Sequence, residues 1–230
     1  MNNFKLVNCD TDSIMICKDN KEHFSKEERI NLLSELNKMM PERIKWEDDG
    51  YFTKVIVTKA KNYILQTEDG KIKYKGSSIK ATTKELALQT FIKDIIDSIL
   101  NDKRNYVEIY NSYVKEIMNV KDIKRWCSKK TVTSKVMNNT RTNEVKIREA
   151  ISGSEYKEGD KIYCFYNNEE NLILAENFNN DYNKEVLLKK LYKTTKTFES
   201  IIDESIFTNY ALKKNSLKCE LLFGNSIISI

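Results

Sequence analysis

Residues 4–17, Phe4-Lys5-Leu6-Val7-Asn8-Cys9-Asp10-Thr11-Asp12-Ser13-Ile14-Met15-Ile16-Cys17, decide how the chain is read. Phe4 to Val7 and Ser13 to Cys17 are short apolar runs of strand length, and Asp10, Thr11 and Asp12 stand at the tight connection between them. The stretch predicts a β-hairpin with two carboxylates at its tip. Carboxylates two residues apart offer hard oxygen ligands to Mg²⁺, which prefers one or two carboxylates plus substrate phosphates to an all-protein cage. An Asp-rich hairpin turn with no metal is the alternative reading of these residues on their own.

Working outward, Ser25 followed by Glu28 forms a capping box that opens a helix with an apolar face of Ile30, Leu33, Leu36 and Met40, ended by Pro41. Strands are expected at Ile44 to Trp46, Tyr51 to Val57, Tyr63 to Gln66 and Ile72 to Tyr74, with turns at Asp48-Asp49-Gly50 and Glu68-Asp69-Gly70. After Lys80 the period changes to about 3.6 residues, with Leu88, Phe91, Ile92, Ile95, Ile96 and Ile99 on one face of a helix that should start near Thr82 or Thr83. A domain boundary belongs there. Helical text continues through Met118, followed by a polar basic stretch from Lys121 to Arg148. A strand at Lys161 to Tyr166 follows the Gly159 turn, and helices are expected near Lys184 to Tyr192 and Phe198 to Ser205. The fold class expected is α+β: a hairpin, helix and strands over residues 1–80, then a mostly helical domain over 81–230.

Composition narrows the function classes. The chain has 230 residues, 40% hydrophobic and 10% aromatic, enough for a packed core, and its 32% charged residues with one proline favour long surface helices. Five cysteines form no CxxC pair, and His23 alone cannot complete a zinc site of the usual spacing, so the thiols are read as reduced and the compartment as cytoplasmic. No run of 18 apolar residues occurs and the start lacks signal-peptide character, so no membrane is expected. Heavy use of Lys, Asn and Ile hints at an AT-rich genome, that of a bacteriophage or of a low-GC microbe, with the host cytoplasm as the site of action if the source is a virus. The net charge of +5 is unevenly spread: residues 54–80 hold 7 basic and 2 acidic groups, and 103–148 hold 12 and 4, while the flanks are acidic. Phosphate binding needs such local concentration, because counterion release scales with the phosphates neutralised. A solvated lysine-rich helix face is the alternative.

Three motifs then occur in order: Asp10-Thr11-Asp12-Ser13, Lys61-Asn62-Tyr63 and Lys75-Gly76. With the Trp46-Glu47-Asp48-Asp49-Gly50 approach, this order resembles family B DNA polymerases, whose palm carries a Tyr-x-Asp-Thr-Asp-Ser hairpin, a Lys-x-Tyr motif and a Lys-Gly turn. The resemblance extends more loosely into the thumb, through Trp126-Cys127-Ser128-Lys129-Lys130-Thr131 and Glu158-Gly159-Asp160-Lys161-Ile162-Tyr163. Asn8 stands where the family often has Tyr, and Ile79-Lys80-Ala81-Thr82 replaces the Arg-Arg-Asp text that commonly follows the Lys-Gly turn.

The resemblance implies that residues 1–80 are the second half of a palm and 81–230 a thumb that binds duplex DNA. Asp12 would be the principal ligand of two catalytic Mg²⁺ ions, with Asp10 beside it in a charge-shaping role. Lys61 and Tyr63 would contact the primer near its growing end. Lys75 would grip a primer phosphate, and Gly76 would let the backbone approach the duplex. Lys129 and Lys130, with Lys121, Lys124, Arg125, Lys135 and Arg141 nearby, would track phosphates without reading sequence, while Trp126 reads as a packing residue. The family's other metal-binding aspartate, its nucleotide-binding lysine in the fingers and its exonuclease carboxylates all lie upstream of this hairpin and are not in this sequence. The expectation is therefore a split DNA polymerase. A partner chain would supply exonuclease, remaining palm and fingers, the metals would be shared, and primer–template DNA and deoxynucleoside triphosphates would be the substrates. The alternative is a non-catalytic duplex-binding remnant.

Overall fold

A computed structural model describes residues 4–138 and 141–211, so Cys219 and the end of the expected thumb domain lie outside the described residues. The chain divides into two compact units, Met1–Lys80 and Ala81–Ile230. Both mix helix with small antiparallel sheets, and the fold is α+β.

Unit 1 opens with β1 (Phe4–Asp10) and β2 (Ser13–Lys18), an antiparallel hairpin in which Leu6 faces Ile16, Cys9 faces Ile14 and Asp10 faces Ser13. The register shifts between Leu6 and Asn8, a bulge that increases local twist. The helix α1 (Lys26–Lys38) carries the expected capping box: Ser25 Oγ accepts from Glu28 N at 3.1 Å, and Glu28 Oε2 accepts from Ser25 N at 2.7 Å. Glu28 also receives Lys18 Nζ at 2.7 Å, which ties β2 to the helix start. No residue of α1 is buried, and Ile30 on its expected apolar face is 59% exposed.

The strand expected at Ile44–Trp46 does not form. The Asn37 side chain takes both backbone groups of Trp46, at 2.7 and 3.0 Å, and leaves none for a ladder. Next, β3 (Lys54–Lys59), β4 (Asn62–Gln66) and β5 (Ile72–Lys75) form an antiparallel sheet in that order. The short α2 (Ser77–Lys80) packs on β4 and β5 with Ile79 buried, while Ile56 and Ile64, paired across β3 and β4, are buried on one face of the sheet and Leu65 on the other. The strand begins at Lys54 rather than Tyr51, whose hydroxyl instead meets His23 Nδ1 at 2.8 Å.

Unit 2 is built on α3 (Leu86–Leu100) and α4 (Tyr106–Met118). The expected stripe of α3 is buried at Leu88, Phe91, Ile92, Ile95 and Ile96. The helix nonetheless begins at Leu86, not at Thr82 or Thr83. Its N-cap, Glu85, makes no side-chain cap bond because its carboxylate is engaged elsewhere. Tyr113 lies edge-on to Phe91 and Trp126, and Trp126 is fully buried with Nε1 donating to Glu116 at 2.9 Å. Trp126 is a packing residue.

The basic stretch resolves into a 3-10 turn (Ile123–Trp126), β6 (Ser128–Thr131), α5 (Ser134–Asn138) and α6 (Thr142–Ala150). With β7 (Lys161–Tyr166) and β8 (Leu172–Leu174), β6 makes a sheet of order β6-β7-β8. Its covered face joins Ile162, Cys164, Leu172 and Leu174 to Val132, Val136 and Ile151. The chain then enters α7 (Lys184–Thr195), capped by Asn183. Phe198 to Ser205 is not a helix: two short 3-10 turns stand there, Lys196–Phe198 and Glu204–Ile206. Asp203 accepts from Ser205 N at 2.9 Å, a local turn that competes with helix.

Candidate functional site

Asp10 ends β1 on the face opposite Leu6 and Cys9, because side chains alternate along a strand. Its Oδ1 accepts from Thr11 Oγ1 at 3.3 Å, and Ser13 Oγ closes the hairpin by donating to the Asp10 carbonyl at 3.1 Å. Thr11 adopts φ 53°, a left-handed conformation that β-branched residues seldom enter. Asp12 follows it, exposed, with no hydrogen bond or ion pair engaging its carboxylate among the described residues.

Lys61 sits in the turn from β3 to β4 with φ 60°. Its ammonium lies 3.6 Å from Asp10 Oδ1, which joins the second motif to the first. Lys61 is 74% exposed, so the pair contributes little to stability and leaves the ammonium accessible. Gly76, with φ +95°, follows β5. A Cβ there would fall 2.5 Å from the Lys61 carbonyl oxygen and would collide with the Asn62 side chain. The third motif is thus locked against the second by a contact that only glycine permits. Tyr63 pairs directly with Lys75 across β4 and β5, on a face shared with Lys73. Asp10, Lys61, Tyr63, Lys75 and Gly76 are brought together through this chain of contacts.

In unit 2 the two adjacent lysines part company. Lys129 is exposed, with its Nζ 6.0 Å from the Tyr163 ring centroid. Lys130 is half-buried opposite Ile162, on the face shared with Cys164. Arg125 is engaged by Glu116 at 2.7 Å, whereas Lys121, Lys124, Lys135 and Arg141 are exposed. Sequence reading quoted Lys161 and Tyr163 only within the loose thumb resemblance and left them out of its site residues; they share the exposed face of β7. The alternation Lys161-Ile162-Tyr163-Cys164 carried that signal. Sequence reading missed Glu85, a buried carboxylate that accepts from Ser128 Oγ at 2.7 Å and Lys190 Nζ at 2.5 Å.

Among the described residues no group of three or more His, Cys, Asp or Glu side chains comes together as a metal cage. Asp10 and Asp12 are the carboxylates of the hairpin that could donate oxygen to a hard cation such as Mg²⁺. Cys9, Cys17, Cys127 and Cys164 are free thiols. Burial pushes Cys127 up to about 12 and Cys164 up to about 11, so neither is a nucleophile at neutral pH. No helix among the described residues is long and apolar enough to cross a membrane.

No family model matches the chain, and no curated protein matches it. Among solved structures it is similar to the family B DNA polymerase from the hyperthermophilic archaeon Pyrobaculum calidifontis, with a TM-score of 0.63 at 15% identity. The match covers 86% of this chain and 27% of that one. The chain therefore shares its fold with the part of that enzyme it matches, about a quarter of the enzyme's length.

Proposed function

We propose that this chain is the C-terminal part of a DNA-directed DNA polymerase, active in nucleotidyl transfer together with a partner chain that supplies the second palm aspartate, the fingers and the exonuclease. The observation that carries the reading is the linkage of three separate motifs: Lys61 reaches Asp10, and Gly76 admits the Lys61–Asn62 turn. Residues 1–80 act as the latter palm and 81–230 as the thumb. Asp12, with Asp10 beside it, would hold Mg²⁺ against the carboxylate of the partner. Bound there, two such ions supply a polarised primer hydroxyl and charge neutralisation on the leaving phosphates. Lys61, Tyr63 and Lys75 orient primer–template DNA, and exposed Lys129 grips a duplex phosphate. Deoxynucleoside triphosphates bind in the partner's pocket, and the assembly works in the cytoplasm, that of the host if the source is a bacteriophage.

Primer extension with Mg²⁺ and deoxynucleotides by the reconstituted pair tests the reading. Asp12→Ala should reduce extension to background while duplex binding persists; undiminished extension would refute the role of Asp12. The lack of a third carboxylate beside Asp10 and Asp12 among the described residues also suits a second reading, a duplex-binding remnant. That reading expects DNA binding with no extension under any pairing.

A further inference from the structure

Among its described residues unit 1 buries two polar side chains, Thr58 and Asn62. Both belong to the β3–β4 connection, where Lys59 pairs with Asn62 across the turn Ala60-Lys61 and the register shifts between Val57 and Lys59. Buried polar groups need partners, and these two find theirs around the turn. Asn62 Nδ2 donates to the Ala60 carbonyl at 3.0 Å, and Thr58 Oγ1 donates to the Asn62 carbonyl at 3.1 Å. The Asn62 amide also fills the space that a Cβ on Gly76 would need, so Gly76 packs directly on it.

Inside this turn Lys61 has φ 60°, a left-handed conformation that glycine or asparagine enters readily and lysine does not. Such strain persists only where the surroundings over-determine the backbone, and it clusters at functional sites. The side chain held there is the ammonium 3.6 Å from Asp10 Oδ1. That ion pair is too solvated to fix the turn by itself, since Lys61 is 74% and Asp10 29% exposed. The buried hydrogen bonds of Asn62 and Thr58 are better placed to do so.

We propose that Asn62 is a positioning residue: its buried amide clamps the Ala60-Lys61 turn and thereby holds the Lys61 ammonium at the Asp10 carboxylate. Thr58 braces the clamp, and Gly76 leaves room for it. The clamp stands on the geometry of unit 1; that it presents Lys61 to a primer end rests on the proposed polymerase function.

The first test uses the full chain without DNA. A water-soluble carbodiimide joins a carboxylate to an amine in contact with it, and peptide mass spectrometry reads the yield of the Asp10–Lys61 link. The Lys18–Glu28 pair, at 2.7 Å in the same unit, is the internal standard for an intact fold. Asn62→Ala should lower the Asp10–Lys61 yield several-fold relative to Lys18–Glu28. Thr58→Val, close in shape and suited to a strand, should lower it less, and it decides the matter alone if Asn62→Ala loses both links by unfolding. An unchanged ratio in the folded variants would overturn the proposal, and a lowered Tm with that ratio intact would show that Asn62 serves only the fold. The second test is primer extension by the reconstituted pair. Asn62→Ala should raise the KM for primer–template several-fold, as Lys61→Met does, and should add nothing in the Lys61→Met background. Additive losses would overturn action through Lys61. Absence of extension by the wild-type pair would strike the polymerase reading alone, because the cross-link reports the clamp without DNA.

Discussion

Gly76 carries the residue-scale argument. In sequence it is half of a Lys-Gly turn whose glycine suggests close approach of a duplex. In the fold its missing Cβ is already required by the Lys61 carbonyl and the Asn62 side chain. Gly76→Ala must place an L-residue at φ +95° and displace the turn that aims Lys61 at Asp10. A loss of about 2 kcal/mol or more follows, since strain and steric conflict act together. The urea midpoint should fall with the m-value unchanged; an unmoved midpoint would show that the turn relaxes freely. At this scale the sequence made Asp10, Asp12, Lys61, Tyr63, Lys75 and Gly76 legible as candidates, because motif order is a linear property. The reason for Gly76 was not legible, because a steric need arises only when β3, β4 and β5 are assembled. Glu85 was invisible for the same cause: near a helix start it reads as a surface acid favouring the dipole, and only β6 and α7 make it a buried anchor.

At the scale of elements, Glu85 joins the beginning of α3 to β6 and α7. Burial would raise its carboxyl, but the charge and hydrogen bond of Lys190, with that of Ser128, outweigh burial and hold it below the usual 4.5. A carboxyl depressed in the fold stabilises fully above its unfolded value and loses that contribution as pH falls through the folded value. Wild-type stability should therefore decline below about pH 4.5 more steeply than that of Glu85→Gln. At neutral pH the variant should be less stable by roughly 2–3 kcal/mol, a lower value than for a fully buried pair because Lys190 keeps part of its side chain in water. Parallel pH profiles, read by thermal unfolding, would dismiss the anchor. The two lysines of β6 separate by face: Lys129→Ala should lower the salt slope of duplex binding by about 0.9, and Lys130→Ala should change it less. Equal slopes would mean that both reach the backbone. The stripe of α3 was readable from its period, whereas its start was misplaced because Thr82 and Thr83 are good caps in isolation. Polar Ser128–Thr131 gave no strand signal, since its pairing comes from β7, more than 25 residues downstream.

Over the whole molecule, unit 1 leaves large apolar side chains in solvent. Leu6 is 63% exposed, Ile14 shares its strand face, and Ile30, Met39 and Ile44 are each more than half exposed. A two-stranded hairpin with an open apolar face is marginal alone, and an exposed apolar patch of this kind marks a contact surface. The uneven charge blocks pointed to phosphate binding from composition alone, but which basic side chains are free emerged only from the fold, where Glu116 engages Arg125. The proposed function requires the acidic hairpin to hold a divalent metal against DNA. It is tested most directly by adding Mn²⁺ to the isotopically labelled chain, assembled with its partner and a primer–template, and following paramagnetic broadening of backbone amides. Broadening should be strongest at Asp10, Thr11 and Asp12 and should be lost there in Asp12→Ala. Broadening centred elsewhere, or unchanged by that substitution, would contradict it.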